Sequence, residues 1–127
     1  MADDGWLFSL KDVEATLPDD PAQMRFVYAL RHGTMKFGLY APAGEDTQTP
    51  HRQDEFYVVV SGNGYFLKNG ERRPFAVHDV IFVEAGVEHR FVDLSSDFAA
   101  WVVFWGADGG EASPSANALQ VESPEGR

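Results

Sequence analysis

Three side chains with metal-binding chemistry stand out in a chain that has no cysteine: His51, Glu55 and His89. Without thiolates, a metal site has to be built from imidazole and carboxylate groups. On one straight strand His51 and Glu55 would lie about 13 Å apart, which is too far for one ion to bridge. A turn at residues 52–54 would instead place His51 at the end of one strand and Glu55 at the start of the next. His89, on a later strand, would then complete the set.

Two imidazoles and one carboxylate leave coordination positions open, which is the arrangement of catalytic rather than structural metal sites. The alternative is a hydrogen-bonded polar cluster that holds no metal. Tyr57 lies two residues beyond Glu55 and shares its face on a regular strand, so it either lines the pocket or packs beside it. His32, in a His-Gly turn, and His78, in another turn, are expected to be solvated.

The middle of the chain reads as short apolar runs separated by turn residues at fairly even intervals. This spacing predicts an all-β sandwich or barrel rather than alternating strands and helices. The Asn69-Gly70 pair is the strongest two-residue hairpin signal in the sequence. The predicted strands span residues 24–31, 34–41, 54–60, 65–68, 79–83, 88–92 and 98–105.

We divide the chain into an N-terminal helical segment (1–21), a barrel (22–106) and a C-terminal tail (107–127). The tail is rich in Gly, Ala, Ser, Pro and Glu and is expected to be mobile, or to dock on a partner subunit.

The N-terminal segment carries one helix signal. Ser9 is the predicted N-cap, with Asp12 answering it in a capping box, and Pro18 and Pro21 end the helix. The predicted apolar face of this helix consists of Leu10, Val13 and Leu17.

The net charge of −10 arises mainly from the two ends, because residues 21–106 carry ten acids and eight bases. The only dense basic pair is Arg72-Arg73, which is too little for a phosphate-binding face, so nucleic acid and anionic membranes are excluded as main partners. No apolar run approaches the roughly 20 residues of a membrane helix. The acidic N-terminus does not resemble a signal peptide, so we expect a soluble cytoplasmic protein.

Two segments carry a family resemblance. Residues 49–55, Thr-Pro-His-Arg-Gln-Asp-Glu, with Gly62 beyond them, resemble the first conserved motif of the cupins, and residues 79–89 resemble the second. The resemblance covers about residues 34–105. It implies a jelly-roll barrel, also called a double-stranded β-helix, with a metal inside the barrel and a common tendency to dimerise. In it, His51, Glu55 and His89 fall on three of the usual four metal ligands.

The sequence departs from this pattern in both motifs. The first histidine of the usual first motif falls on Thr49, whose hydroxyl is a poor ligand, so we expect an open or weaker three-ligand site with Thr49 contacting substrate. The second motif usually begins Pro-Gly-Asp, but here reads Val77-His78-Asp79, and Glu84 stands at a usual proline. Histidine tolerates positive φ better than most residues, so His78 can occupy the turn.

The resemblance favours a metal-dependent enzyme acting on a small, oxygen-chelating organic molecule inside the barrel. The reactions that remain open are oxygenation with Fe, or isomerase and lyase chemistry with Mn, Zn or Ni. Tyr57 is the candidate proton donor or orienting group. The alternative is a non-catalytic module that binds or senses a small ligand, with or without metal, and a third possibility is a structural or storage barrel. No nucleophile elbow, dinucleotide fingerprint or Walker motif occurs in the sequence.

The last predicted strand is apolar on both faces. Trp101 and Trp105 share one face, and Val102 and Phe104 share the other. One face is therefore expected to line the barrel, and the other to pack against a second layer or a partner subunit. From this we predict a homodimer.

Overall fold

The structure, a computed structural model, describes residues 5–46 and 48–111 of the chain. Over these residues the chain forms one short helix and eight strands. The helix α1 spans Leu10–Glu14. The strands are β1 (Phe26–His32), β2 (Met35–Tyr40), β3 (Asp54–Ser61), β4 (Gly64–Lys68), β5 (Glu71–Phe75), β6 (Val80–Val83), β7 (His89–Val92) and β8 (Ala99–Trp105).

The described strands form two antiparallel sheets, one of five strands in the order β1-β2-β8-β3-β6 and one of three in the order β5-β4-β7. Their inner faces enclose an aromatic core that includes Tyr57, Phe66, Phe75, Phe91 and Phe98. Adjacent rings within it meet mainly edge to face, the geometry that aromatic quadrupoles favour. The predicted all-β jelly-roll fold is therefore confirmed.

Strand β3 shows how the sequence alternation positions the site. Glu55, Tyr57 and Val59 point into the barrel and are at most 1% exposed, whereas the residues between them lie on the outer face and are half-buried. Glu55 lies between Val83 of β6 and Phe104 of β8 in the sheet register. Because the strand period is two, this register fixes the carboxylate on the interior side.

The helix α1 covers part of the outer face of the five-stranded sheet. Val13 and Leu17 are buried against Leu39 and Trp101, so the Trp101 face of β8 is the one of its two apolar faces that packs against a second layer. The predicted capping box is wrong, because the Ser9 side chain makes no capping hydrogen bond. The helix also ends at Glu14, before Pro18. Burial of its apolar face, rather than its cap, stabilises so short a helix.

One strand was not among those predicted. β5 contains Arg72, Arg73 and Pro74, and only its last residue, Phe75, is buried. It is an edge strand that pairs with β4 alone, so it needs neither an apolar face nor a complete set of backbone donors. The hairpin expected at Asn69-Gly70 joins β4 to β5, with φ values of 51° and 88°.

The described part of the predicted tail ends at Glu111, whose backbone N–H donates a hydrogen bond to Asp54 at 2.8 Å. Residues 112–127, to which most of the prediction of a mobile or docking tail applies, lie outside the described residues. Within the described chain, the one helix is far too short to cross a membrane.

Candidate metal centre

Three separate elements bring the predicted ligands together. His51 lies in the loop before β3, Glu55 is the second residue of β3, and His89 is the first residue of β7 in the opposite sheet. One ligand atom from each lies within 4.8 Å of the other two. The prediction that His51 ends a strand is wrong, since the loop is irregular, but the turn after it does place the imidazole beside Glu55.

Both imidazoles are oriented by backbone carbonyls. His51 Nδ1 lies 2.9 Å from the carbonyl oxygen of Gln53, and His89 Nδ1 lies 2.8 Å from that of Val87. A carbonyl oxygen can only accept, so each Nδ1 carries the proton and donates it. The neutral rings are thereby held in the tautomer whose Nε2 has a free lone pair, as in metal-binding histidines.

The two Nε2 atoms converge on the same carboxylate oxygen. His51 Nε2 contacts Glu55 Oε1, and His89 Nε2 lies 3.5 Å from that oxygen. His89 Nε2 is buried and has no hydrogen-bond partner among the described residues. An unpaired buried polar atom costs about 1–3 kcal/mol. Two nitrogen lone pairs and a carboxylate directed at one point therefore fit a divalent transition metal ion, the donor set such ions accept.

The negative charge of Glu55 affects the pKa of His51. Burial lowers the pKa of His51, but the hydrogen bond to Glu55 and its negative charge together outweigh burial, and the pKa of His51 is raised. Without a metal, a proton therefore occupies the space between the two groups more readily than on a free imidazole. A proton therefore competes with a metal ion for the His51 Nε2 lone pair more strongly than it would on a free imidazole.

The loop that carries His51 is fixed by buried polar side chains that the sequence did not single out. The Gln53 amide donates to the carbonyl oxygens of Thr34 at 2.7 Å and Gly106 at 2.9 Å. The Asp54 carboxylate accepts from the Ala85 N–H at 2.9 Å. The loop is therefore tied both to the β1–β2 turn and to the ends of β6 and β8, and His51 is held with it.

Tyr57 is fully buried beside the three candidate ligands and donates its hydroxyl hydrogen to Gln48 Oε1 at 3.0 Å. Burial, followed by the negative charge of Glu55, raises the pKa of Tyr57 well above its usual value. The phenol is therefore protonated and can donate a hydrogen bond. Thr49, the other predicted substrate contact, is exposed.

A cavity of about 180 Å³ opens beside the cluster, and His51 and Glu55 form part of its wall. Thr49 and Tyr57 also line it, so the structure brings both predicted substrate contacts to one cavity. Phe104 packs edge to face on His51, with ring centroids 5.0 Å apart. The remaining wall is mostly apolar and is formed by Met24, Phe26, Tyr28, Tyr40, Gln48 and Val102.

A buried hydrogen-bond network behind this cavity was also not predicted. Asp46 is 1% exposed, and its carboxylate accepts from the Tyr40 hydroxyl at 2.6 Å and from the Phe91 N–H at 2.7 Å. It also accepts from the backbone and the side chain of Gln48, at 3.1 and 2.9 Å. Asp46 thus positions Gln48, which in turn orients the Tyr57 hydroxyl.

The other two histidines lie away from the cluster. His32 is exposed at the end of β1, rather than in the turn that follows, and His78 is exposed with a φ of 79°. The positive φ confirms that His78 occupies a position where glycine is usual in a turn.

Comparison with known proteins places this site in a family. Residues 37–105 match the family described as the cupin domain, and the chain belongs to it. It is also 42% identical over 100 residues to an uncharacterised protein from Streptomyces coelicolor, a match that covers 76% of this chain and 92% of that protein.

Solved structures share the fold at low sequence identity. A cupin 2 conserved barrel domain protein from Salinispora arenicola is 22% identical, with a TM-score of 0.61 over 80% of this chain and 88% of its own. A candidate mannose-6-phosphate isomerase from Ralstonia eutropha is also 22% identical, with a TM-score of 0.61, and the match covers 75% of this chain and 95% of that protein. KdgF from a Halomonas species is 19% identical, with a TM-score of 0.57, and the match covers 64% of this chain and 76% of that protein.

Proposed function

We propose that this cupin is a metal-dependent enzyme that acts on a small, oxygen-chelating organic molecule in the cavity beside His51. The observation that carries the proposal is the buried His89 Nε2, which has no hydrogen-bond partner among residues 5–46 and 48–111 and lies near the carboxylate that His51 also contacts. In this proposal His51, Glu55 and His89 hold one divalent ion, which is Fe, Mn, Zn or Ni. Its chemistry is polarisation of a substrate oxygen, or redox chemistry if the ion is iron.

In this proposal the chain's own residues orient the bound substrate and exclude water from around it. Phe104 and Val102 give the cavity an apolar wall, which removes water from around a bound molecule and strengthens polar contacts there. Tyr57, kept protonated, donates a hydrogen bond or a proton, and Gln48 holds its hydroxyl. Thr49 contacts the substrate at the rim.

One observation favours the alternative of a binding or sensing module. The Tyr57 hydroxyl already donates to Gln48, so the candidate proton donor is engaged in the absence of a ligand. A Tyr57→Phe variant separates the two functions, because it should bind metal and ligand normally in both cases. Turnover of metal-loaded protein on a panel of hydroxy- and oxo-compounds that falls at least about tenfold in this variant supports the enzyme. Ligand-induced stabilisation without turnover in either protein supports the module.

The sequence predictions of a cytoplasmic location, a small-molecule ligand and a homodimer belong to this proposal. Exposed apolar side chains on the edge strand β6 support the homodimer: Val80 is 64% exposed and Phe82 is 42% exposed. Phe82 packs against Trp105, on the outer face that the sequence predicts to meet a second layer or a subunit.

A further inference from the structure

The charge of this acidic chain is distributed unevenly around the cavity. Residues 21–44 contain Arg25, Arg31 and Lys36 but neither Asp nor Glu, although the chain as a whole has twice as many acids as bases. This stretch folds as the β1–β2 hairpin with its flanks. Met24, Phe26, Tyr28 and Tyr40 from the same stretch line the cavity. One wall of the cavity is therefore built on an element that carries positive charge only.

Lys36 lies over two of the aromatic rings that line the cavity. It pairs with Phe104 in the register of β2 and β8, and its Nζ lies 5.5 Å from the centre of the Phe104 ring and 6.0 Å from that of Tyr28. Both rings line the cavity.

Arg31 adds a second positive charge beside Tyr28, at the rim of the cavity. Its guanidinium carbon lies 4.3 Å from the centre of the Tyr28 ring. In the described part of the chain, neither Arg31 nor Lys36 has a carboxylate within ion-pairing distance. By contrast, Lys68, Arg72 and Arg73 on the other sheet each pair with an acid. The charge at the rim is thus available to a ligand.

The proposed metal site has the same sign. A divalent ion held by two neutral imidazoles and one carboxylate keeps a net positive charge, and the rest of the cavity wall is neutral. Positive potential in an apolar cleft concentrates anions and discriminates against neutral and cationic molecules of the same shape. A cavity of about 180 Å³ is smaller than the roughly 300–1,000 Å³ of drug-sized ligand sites, so about one ring fits.

We infer that the cavity selects a small organic anion with one apolar group, and that Lys36 is the residue that determines this specificity. The anionic group, most simply a carboxylate, lies toward Lys36, and a second oxygen of the ligand faces His51, Glu55 and His89. The apolar group packs against Phe26, Tyr28 and Phe104. This inference rests on the proposed function, since it names the ligand class of the same site.

The test compares mandelate with mandelamide, which have the same ring and hydroxyl group but differ in charge. Titration calorimetry with zinc-loaded and zinc-free protein gives both dissociation constants in the native chain and in Lys36→Gln, Lys36→Arg and Lys11→Gln. Lys11 lies on α1 and is exposed, so Lys11→Gln controls for net charge. Zinc affinity is measured first for every variant, so that a misfolded variant is recognised.

We expect native zinc-loaded protein to bind mandelate about tenfold more tightly than mandelamide, as for one charge-assisted contact. The preference should fall to within about threefold in Lys36→Gln and persist in Lys36→Arg and Lys11→Gln. Added sodium chloride should reduce it, because salt screens exposed charges.

Equal affinities in the native chain, an unchanged preference in Lys36→Gln, or no mandelate binding at millimolar concentration would each overturn the inference. Failure of the proposed function is a separate result, because the native chain would then bind no zinc. In that case a mandelate preference in zinc-free protein that depends on Lys36 still supports the role of Lys36.

Discussion

His89 Nε2 and Glu55 Oε1 lie 3.5 Å apart inside the barrel, on strands from opposite sheets, and both side chains are at most 1% exposed. Neither a hydrogen bond nor solvent satisfies that nitrogen among the described residues. Closure of the barrel thus brings two potential metal-ligand atoms together at a cost in folding stability, and a bound ion would remove that cost.

The metal-free protein should become more stable when this nitrogen is removed. His89→Leu replaces the imidazole by a side chain of similar size and removes an unsatisfied buried atom, at the expense of the hydrogen bond to Val87. We expect a gain of about 1 kcal/mol in the free energy of unfolding of the metal-free protein, together with loss of metal-dependent stabilisation. Urea unfolding with and without zinc measures both. A large loss of stability in the metal-free variant would show that the nitrogen has a partner in solution.

The pH dependence of stability should differ between the metal-free and metal-bound proteins. The pKa of His51 is raised in the folded chain, mainly because Glu55 outweighs the effect of burial. The resulting stabilisation is complete below the unfolded pKa of about 6.5 and is lost as the pH rises through the folded value. Metal-free protein should therefore lose stability as the pH rises above about 6.5, whereas stabilisation by zinc should increase because protons no longer compete with the ion. Urea unfolding at several pH values tests this, and His51→Ala should flatten the metal-free curve.

Gln53 should act on the metal through the loop that it anchors. Gln53→Ala removes two buried hydrogen bonds while leaving the carbonyl that orients His51. We expect a loss of about 1–3 kcal/mol in stability and roughly tenfold in zinc affinity. Arg52→Ala, at an exposed neighbouring position, is the matched control and should change neither quantity. Unchanged zinc affinity in Gln53→Ala would mean that the loop keeps its position without these bonds.

Asp46 should be important for both stability and the orientation of Tyr57. In the native chain both carboxylate oxygens of Asp46 accept hydrogen bonds, from Tyr40, Gln48 and the Phe91 N–H. Asp46→Asn replaces one of these acceptor oxygens by an NH₂ group, which can only donate. We expect a loss of about 2–3 kcal/mol in the free energy of unfolding. Glu45→Gln, at an exposed position next to it, should stay within about 0.5 kcal/mol of the native chain. An equally small effect of Asp46→Asn would contradict the role assigned to the network.

The oligomeric state tests the outer face of the five-stranded sheet. If Val80 and Phe82 meet a second copy of the chain, sedimentation velocity should detect a dimer at micromolar concentration, and Phe82→Lys should convert it to a monomer. Tyr65→Lys is the control, because Tyr65 is 37% exposed on the other sheet. A native chain that sediments as a monomer would refute the predicted homodimer.

The sequence predicted the barrel and the grouping of the ligands because both depend on local patterns. Short apolar runs bounded by turn residues located β3 and β8, and the turn after His51 explained how it could lie beside Glu55. The same reasoning missed β5, since an edge strand with two arginines and a proline has no buried face to leave a pattern. It also overvalued the cap of α1, whose position depends on tertiary packing of Val13.

The residues that support the site could not be predicted because their partners are remote in sequence. The Gln53 amide binds the carbonyl of Gly106, 53 residues away, and Asp46 binds the Phe91 N–H, 45 residues away. In the sequence each resembles an ordinary polar loop residue. Only closure of the two sheets shows that they are buried, and no local signal in the sequence distinguishes Asp46 from the neighbouring Glu45.

Metal analysis tests the central claim most directly. Untagged protein purified without chelators is measured for transition metals beside His51→Ala, His89→Ala and the exposed control His32→Ala. We predict about one ion per chain in the native protein and in His32→Ala, and a loss of most of it in the other two variants, because a single site with three protein ligands does not survive removal of one. Native protein that holds no metal and takes up none when Fe, Mn, Zn or Ni is added would contradict the proposed function.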